Sequence, residues 1–411
     1  MHFIYNCSVY IVSFFLRILA LFSPKLKLFV NGRKDIFTTL EDKLSKEAPV
    51  IWIHTASLGE FEQGLPVIEA LNKNYSKHQI LVTFFSPSGF EVKKKSSSAD
   101  VITYLPLDTR YNAKRFIAAV NPDLALFVKY EIWPNYLSEL EKNKIPTLLI
   151  SAIFNKRQIF FKIYGSFMRK SLSAFSYFFV QDKNSQELLK SIGFNNSTIS
   201  GDTRFDRVLK ILDQDNELDF MGNFKQDKSC FVAGSSWPED EAIIVNYINS
   251  NNSSLKFVFA PHTIKKEAIQ KLAHAIQKKT VLYSELSDKN PSDYEVLIVD
   301  TIGILTKIYR YADVAYVGGG FATGLHNTLE PAVFGIPVLI GPKYSGFKEA
   351  EDLVAEKGVI SITNLEHFTF ELNKLLTSQK HYQETGRINT SYISKRKGAT
   401  NLIMDYIDTI M

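Results

Sequence analysis

The chain has 411 residues, 45% of them hydrophobic, which exceeds what one hydrophobic core comfortably holds, so two domains are expected. A formal charge of +5, with no compact Lys/Arg block interleaved with aromatics, argues against a nucleic-acid partner and suits a membrane surface or an acidic ligand. Two cysteines, Cys7 near the terminus and Cys230 in a buried-type apolar run, support neither a disulfide framework nor a zinc cluster and fit a reducing cytoplasm.

The first 34 residues read as a membrane-anchor segment. Phe3 to Ser23 is rich in Ile, Tyr, Val, Phe and Leu, and Lys25, Lys27, Arg33 and Lys34 follow it as a basic edge. Arg17 would be costly at mid-bilayer, so an in-plane or shallowly inserted helix is favoured over a full span. No Lys or Arg precedes the run, which disfavours a cleaved signal peptide. Were the helix to span, the cations behind it would hold the main body on the cytoplasmic side.

From Pro49 onward, short apolar runs alternate with longer amphipathic ones, the pattern of parallel strands joined by crossover helices. Strands are predicted at Val50–His54, Ile80–Phe85, Val101–Leu105, Leu124–Val128, Thr147–Ser151 and Tyr177–Gln181. The pattern restarts with Cys230–Gly234, Lys256–Ala260, Leu297–Asp300, Val314–Val317, Pro337–Ile340 and Gly358–Ile362. The expected class is α/β, with two Rossmann-like doubly wound domains at 35–205 and 229–378. A charged stretch without a strong strand, 206–228, is expected as the linker, and 379–411 as helix packing back on the first domain. Ligands of open α/β sheets sit beyond the carboxyl ends of the strands, so two such sheets facing each other would place the chemistry in a cleft.

After the first strand comes His54-Thr55-Ala56-Ser57-Leu58-Gly59-Glu60-Phe61-Glu62. Glu60 sits where a carboxylate can enter a ligand site as general base, yet Ser57 and Glu60 are also at capping-box spacing, so base and helix cap both stand. Glu62 reads as solvent-facing or auxiliary. After the fourth strand, Lys129-Tyr130-Glu131-Ile132-Trp133-Pro134-Asn135 sets a charge pair beside an aromatic, which suits a sugar or, equally, a loop ion pair with Trp133 as packing anchor.

Two glycine-bearing corners mark the second half. Ala233-Gly234-Ser235-Ser236-Trp237-Pro238 breaks from a buried-type strand into a polar turn. Gly318-Gly319-Gly320 leads through His326-Asn327-Thr328 to Leu329-Glu330, where Asn327 or Thr328 can cap a helix whose first amides favour an anion, and Glu330 can accept ribose hydroxyls. The same glycines can also serve only a tight strand-to-helix connection. Cations placed to receive an anionic donor are Arg204, His262, His326, Lys343 and Lys348. Carboxylates and histidines show no metal-ligand spacing, and there is no Walker loop, dinucleotide fingerprint or serine nucleophile elbow.

Five stretches in order, the anchor with Gly32-Arg33-Lys34, the His54-to-Glu60 turn, Glu131-Ile132-Trp133-Pro134-Asn135, Gly201-to-Asp206, and His326-Asn327-Thr328-Leu329-Glu330 with Gly341-Pro342, resemble the Kdo (3-deoxy-D-manno-oct-2-ulosonic acid) transferases of lipopolysaccharide assembly. The resemblance covers most of the chain. It implies a GT-B fold, CMP-Kdo as donor, a lipid A precursor as acceptor at the cytoplasmic face of the inner membrane, and inversion at the anomeric carbon without metal or cofactor. It places the general base on Glu60 and the cytidine nucleotide on Ser235, Ser236, Gly320, Asn327 and Glu330. Glu131 is expected as a second catalytic carboxylate. Arg204, His262, Gly319, His326 and Lys343 are expected on the donor, and Ser57, Gly59, Lys129 and Trp133 on the acceptor. The chain departs from the family pattern at Lys129, where Glu is usual, at His262-Thr263, where Arg-His is usual, and at Ile304, where an acid is frequent; Arg204 replaces a frequent Lys. Another GT-B enzyme using a UDP-sugar, transferase or epimerase, is the nearest rival reading. A non-catalytic sugar-nucleotide binder, with Glu60 only capping a helix, is the rival from another class.

Overall fold

The structure is a computed structural model, and it describes residues 2–251 and 254–411. The chain divides into two compact units, Met1–Arg207 with Arg396–Met411, and Val208–Lys395.

In the first unit the apolar runs become β1 (Val50–Thr55), β2 (Gln79–Phe84), β3 (Val101–Tyr104), β4 (Leu124–Val128), β5 (Thr147–Ala152), β6 (Tyr177–Val180) and β7 (Ser197–Ile199). They pair in parallel in the order β3-β2-β1-β4-β5-β6-β7. Strands buried on both faces need continuous apolar sequence, and β1 and β4 are buried at every residue. Alternation splits β1 between two cores: Trp52 joins Phe116, Phe127 and Tyr136 on one face, while Ile51 and Ile53 join Phe61 and Phe84 on the other.

The tail expected as one segment divides. Helix Gln379–Ser394 belongs to the second unit, while helix Ala399–Ile410 returns to the first and buries Ile403, Met404 and Ile407 against its sheet. Asp206 holds that return by accepting from the N–H groups of Gly398 (2.6 Å) and Thr400 (2.7 Å). The stretch 206–228, expected as a linker without a strong strand, carries most of helix Arg204–Leu212 and all of helix Asp219–Lys225. The second of these buries Met221 and Phe224.

Helix His2–Leu19 has no fully buried residue and is long and apolar enough to cross a membrane. It nevertheless lies against the body of its unit. Tyr5 donates to Asp108 (2.6 Å), Asn135 donates to the Asn6 side-chain oxygen (3.0 Å), and the Phe167 ring meets those of His2 and Tyr5. Tyr5, Asn6, Val9, Ser13, Leu16 and Ala20 face inward at helical spacing, leaving Phe3, Ile11, Phe14, Phe15 and Ile18 exposed.

The second unit repeats the architecture with β8 (Cys230–Ser236), β9 (Lys256–Pro261), β10 (Thr280–Leu282), β11 (Val296–Ile298), β12 (Val314–Val317), β13 (Val338–Ile340) and β14 (Val359–Ser361). These also pair in parallel, in the order β10-β11-β9-β8-β12-β13-β14. In each sheet the winding direction reverses between two adjacent strands, β1 and β4 in the first, β8 and β12 in the second. Loops leaving such a pair diverge and open a ligand site. The His54-to-Glu60, Lys129-to-Asn135, Ser235-Ser236 and Gly318-to-Glu330 motifs leave from these four strands, while Arg204, His262 and Lys343 follow β7, β9 and β13.

Candidate active site

At the first switch point, β1 ends in His54 and Thr55, the chain turns through Ala56 and Ser57, and helix Leu58–Asn74 begins. Glu60, in the first helical turn, bends back so that its Oε2 accepts from Ala56 N–H (2.6 Å) and Ser57 N–H (3.2 Å). Both contacts fall on one oxygen, Oε2. The space in front of Gly59 is open.

Burial, and after it the neighbouring Glu131 carboxylate, push Glu60 up from its ordinary 4.5 to about 7, against the pull of the two amides and Lys129. The influence of Glu131 and Lys129 shows that the loop after β4 brings them close to Glu60. Tyr130 between them is raised by burial and then by both carboxylates. Lys129 takes a positive φ of 65°, which turns the chain sharply out of the strand.

Glu131 is anchored by Trp133, whose indole N–H is shared between Glu131 Oε2 and His54 Nε2, each at 3.1 Å. An indole only donates, so His54 Nε2 accepts and the ring proton sits on Nδ1, 2.9 Å from Thr83 Oγ1. Glu131 Oε2 lies 3.7 Å from His54 Nε2. Trp133 also stacks on Phe85, ring centroids 4.7 Å apart. The first unit thus gathers Ser57, Gly59, Glu60, Lys129, Glu131 and Trp133. His54 and Thr83 join this network although sequence reading gave them no role; His54 carried a signal, as the polar residue ending an apolar strand.

Arg204 stands apart from the other residues expected on the donor. It lies in the first unit, its guanidinium on Asp202 Oδ2 at 2.9 and 2.8 Å, and Asp202 is in turn held by Gln63 (2.7 Å).

At the second switch point, Asp240 joins the loops. One buried carboxylate accepts from Tyr316 OH (2.6 Å), Trp237 N–H (2.9 Å) and Gly319 N–H (2.8 Å), so the turns after β8 and β12 share one acceptor. Sequence reading missed it; the signal was an acid three residues after Trp237 at a helix start. The glycines make these loops fit: a Cβ on Gly318 would meet Ser235 O at 2.2 Å and one on Gly320 would meet Gly341 at 2.7 Å. Gly319, at φ 96°, has the Gly324 carbonyl oxygen where a Cβ would stand. Backbone of the unit itself therefore fills the space beside these glycines. The helix expected after the glycine turn is a single turn, Leu329–Ala332, capped by Thr328 in helical conformation with no side-chain bond, while Asn327 Oδ1 accepts from Leu329 N–H (3.1 Å). So short a helix sums few peptide dipoles, which weakens the anion-binding role expected of its start.

Three rings from three loops meet there. Trp237 stacks on His262 (4.6 Å, 15° between planes), His262 lies 4.6 Å from His326, and the Trp237 indole donates to His326 Nε2 (3.1 Å). Burial first, then His262, lower the His326 pKa, and Asp240 opposes them. Ser235 takes a φ of 52° at the strand end, and Ser236 Oγ donates to Glu241 (2.8 Å). Glu330 accepts from Asn327 (3.1 Å) and Thr306 (3.1 Å). Lys343 Nζ reaches the carbonyls of Phe321 and Ala322 (3.3 and 3.4 Å), pinning the glycine loop, and Lys348 pairs with Asp352.

Two doubly wound parallel sheets, each with polar groups at its switch point, define a GT-B type fold. The fold is shared with UDP-GlcNAc 2-epimerase from Neisseria meningitidis bound to UDP-GlcNAc, 15% identical, TM-score 0.64, over 88% of this chain and 100% of that one. Residues 32–207 match the 3-deoxy-D-manno-octulosonic-acid transferase (kdotransferase) family model. The chain is 30% identical over 356 residues to the 3-deoxy-D-manno-octulosonic acid transferase of Aquifex aeolicus, covering 84% of this chain and 92% of that relative. It is 27% identical to the Haemophilus influenzae enzyme of the same name, over 87% of this chain and 86% of the relative. The chain belongs to the Kdo transferase family and is a Kdo glycosyltransferase of lipopolysaccharide biosynthesis.

Proposed function

We propose that the enzyme moves Kdo from CMP-Kdo to a hydroxyl of a lipid A precursor, with inversion and without a divalent ion. The observation that carries this reading is Glu60, a buried carboxylate raised to about 7 beside a second carboxylate at a sheet switch point. A base poised near neutrality takes the acceptor hydroxyl's proton most efficiently. As that O–H bond breaks, the acceptor oxygen bonds to the anomeric carbon of Kdo. The bond from that carbon to the phosphate oxygen breaks on the opposite face, and CMP leaves with the electron pair. His262, His326 and Lys343 in the second unit are the groups assigned to the leaving phosphate's charge, and Asn327 and Glu330 to the nucleotide. Glu131, held by Trp133 and His54, sets the ionisation of Glu60, and Lys129 with Trp133 offers the acceptor sugar a cation beside an aromatic face.

The apolar outer side of helix His2–Leu19 is assigned to the cytoplasmic face of the inner membrane, lying in its plane. Support comes from the inner side's bonds to the body, and from Ile163 and Tyr164, exposed on the turn next to Phe167.

The test is mass spectrometry of the lipid product made by purified enzyme with CMP-Kdo and a lipid A precursor. A mass gain of Kdo, unchanged by EDTA and absent with UDP-N-acetylglucosamine as donor, is expected. No gain, or a gain with the UDP-sugar, rejects the assignment.

A further inference from the structure

Between the inner side of helix His2–Leu19 and the body of the first unit lies a cavity of about 840 Å³. That volume lies in the range of roughly 300–1,000 Å³ typical of sites for small organic ligands. Its walls include Ser13, Leu16 and Ala20 from the helix, with Phe29, Val30 and Leu107 opposite. Arg17, Lys27 and Lys34 also line it and are exposed, marking its rim, and no acidic residue is among its lining. Arg33 lines it too, but all three of its nitrogens donate to carbonyl oxygens, of Leu105, Phe29 and Phe85, so it serves as a structural clamp. An apolar chamber with a cationic rim is complementary to an acyl chain attached to an anionic head.

Resting on the acceptor reading above, we propose that this cavity seats one acyl chain of the phosphorylated lipid acceptor, whose phosphate is met by Arg17, Lys27 and Lys34. A bulk bilayer lipid would share the chemistry, but the cavity wall is continuous with the catalytic network. Phe29 and the Arg33 guanidinium pack on Phe85 (5.3 and 5.0 Å), Phe85 stacks on Trp133, and Trp133 bonds Glu131. A chain held there ties the lipid end of the acceptor to the place where its sugar reacts.

The experiment uses the full chain in detergent. Ser13→Phe projects a ring into the cavity from its helix wall. It is expected to raise KM for the acylated acceptor at least about tenfold, the loss of a few buried methylenes, with kcat and the KM for the chemically deacylated acceptor unchanged. Equal effects on both acceptors, or none on either, overturn the proposal. Tyr10→Trp supplies a reporter that needs no turnover, so it still tests the cavity if transfer itself is absent. Acceptor carrying brominated acyl chains should quench its added fluorescence, excess phosphatidylglycerol should not displace it, and adding Ser13→Phe should abolish the quenching. Absence of quenching, or equal quenching by brominated phosphatidylglycerol, rejects the acceptor as occupant.

Discussion

Replacing Glu60 by Gln separates its proton chemistry from its hydrogen bonds. The amide oxygen still accepts from Ala56 and Ser57, so the entry into helix Leu58–Asn74 is kept while the base is lost. In the parent, burial and then Glu131 raise this carboxyl from 4.5 to about 7. The folded value lies above the unfolded one, so its contribution to stability is fully present below pH 4.5 and is lost as pH rises through about 7. Beyond that point the ionised, partly desolvated carboxylate costs about 3 kcal/mol relative to one in water, at roughly 1.4 kcal/mol per pH unit. Gln removes this cost, and the charge's attraction to the helix amides is already contained in the value near 7. Glu60→Gln should therefore abolish transfer, gain about 3 kcal/mol over the parent at pH 8, and gain little at pH 4.5. Amide hydrogen exchange of helix Leu58–Asn74 at the two pH values reads the local stability, and labelled Kdo transfer reads the activity. A variant no more stable than the parent at pH 8, or one that still turns over, refutes the reasoning.

Since Glu60 must be ionised to act, kcat/KM of the parent should rise with pH through about 7. Glu131→Gln should move that limb to lower pH without removing the whole rise, because burial, the larger cause, is untouched; a limb that stays in place means Glu131 does not raise the base. Asp240→Asn removes the carboxylate shared by Tyr316, Trp237 and Gly319, and calorimetry should show CMP affinity falling at least about tenfold, whereas unchanged affinity would detach this junction from donor binding. Gly320→Ala pushes a methyl into the Gly341 backbone at 2.7 Å and should cost the second unit about 1–3 kcal/mol in urea denaturation; a neutral result would mean that the loop relaxes freely.

Twelve of the fourteen strands among the described residues follow from apolar runs bounded by turn residues, because a strand buried on both faces has no room for another pattern. The two not foreseen, Ser197–Ile199 and Thr280–Leu282, are three residues long with polar members, and pairing with a neighbour defines them more than their own composition does. Helix Arg204–Leu212 was hidden for the opposite reason: Phe205, Val208 and Ile211 keep helical spacing and are buried, but the charged stretch that follows drew the eye to a linker. Glu60, Glu131 and the glycine turns were legible because a strand end followed by a turn places residues at a ligand edge whatever their partners. What joins them was not. Asp240, Asp202 and the shared indole N–H of Trp133 act across separations in sequence that no local pattern encodes.

The two readings of Glu60 that sequence left open, cap and base, prove to be compatible, and their coexistence is informative. A carboxylate that merely caps a helix lies in the positive end of the dipole and accepts amide hydrogens, both of which lower its pKa. Glu60 has both contacts and a neighbouring lysine, and still ends near 7. Something must outweigh them, and burial with a second carboxylate supplies it. Neither helps the helix, since each penalises the charge that caps best. A cap serving stability alone gains nothing from burial beside a second carboxylate, whereas a base working near neutral pH needs both.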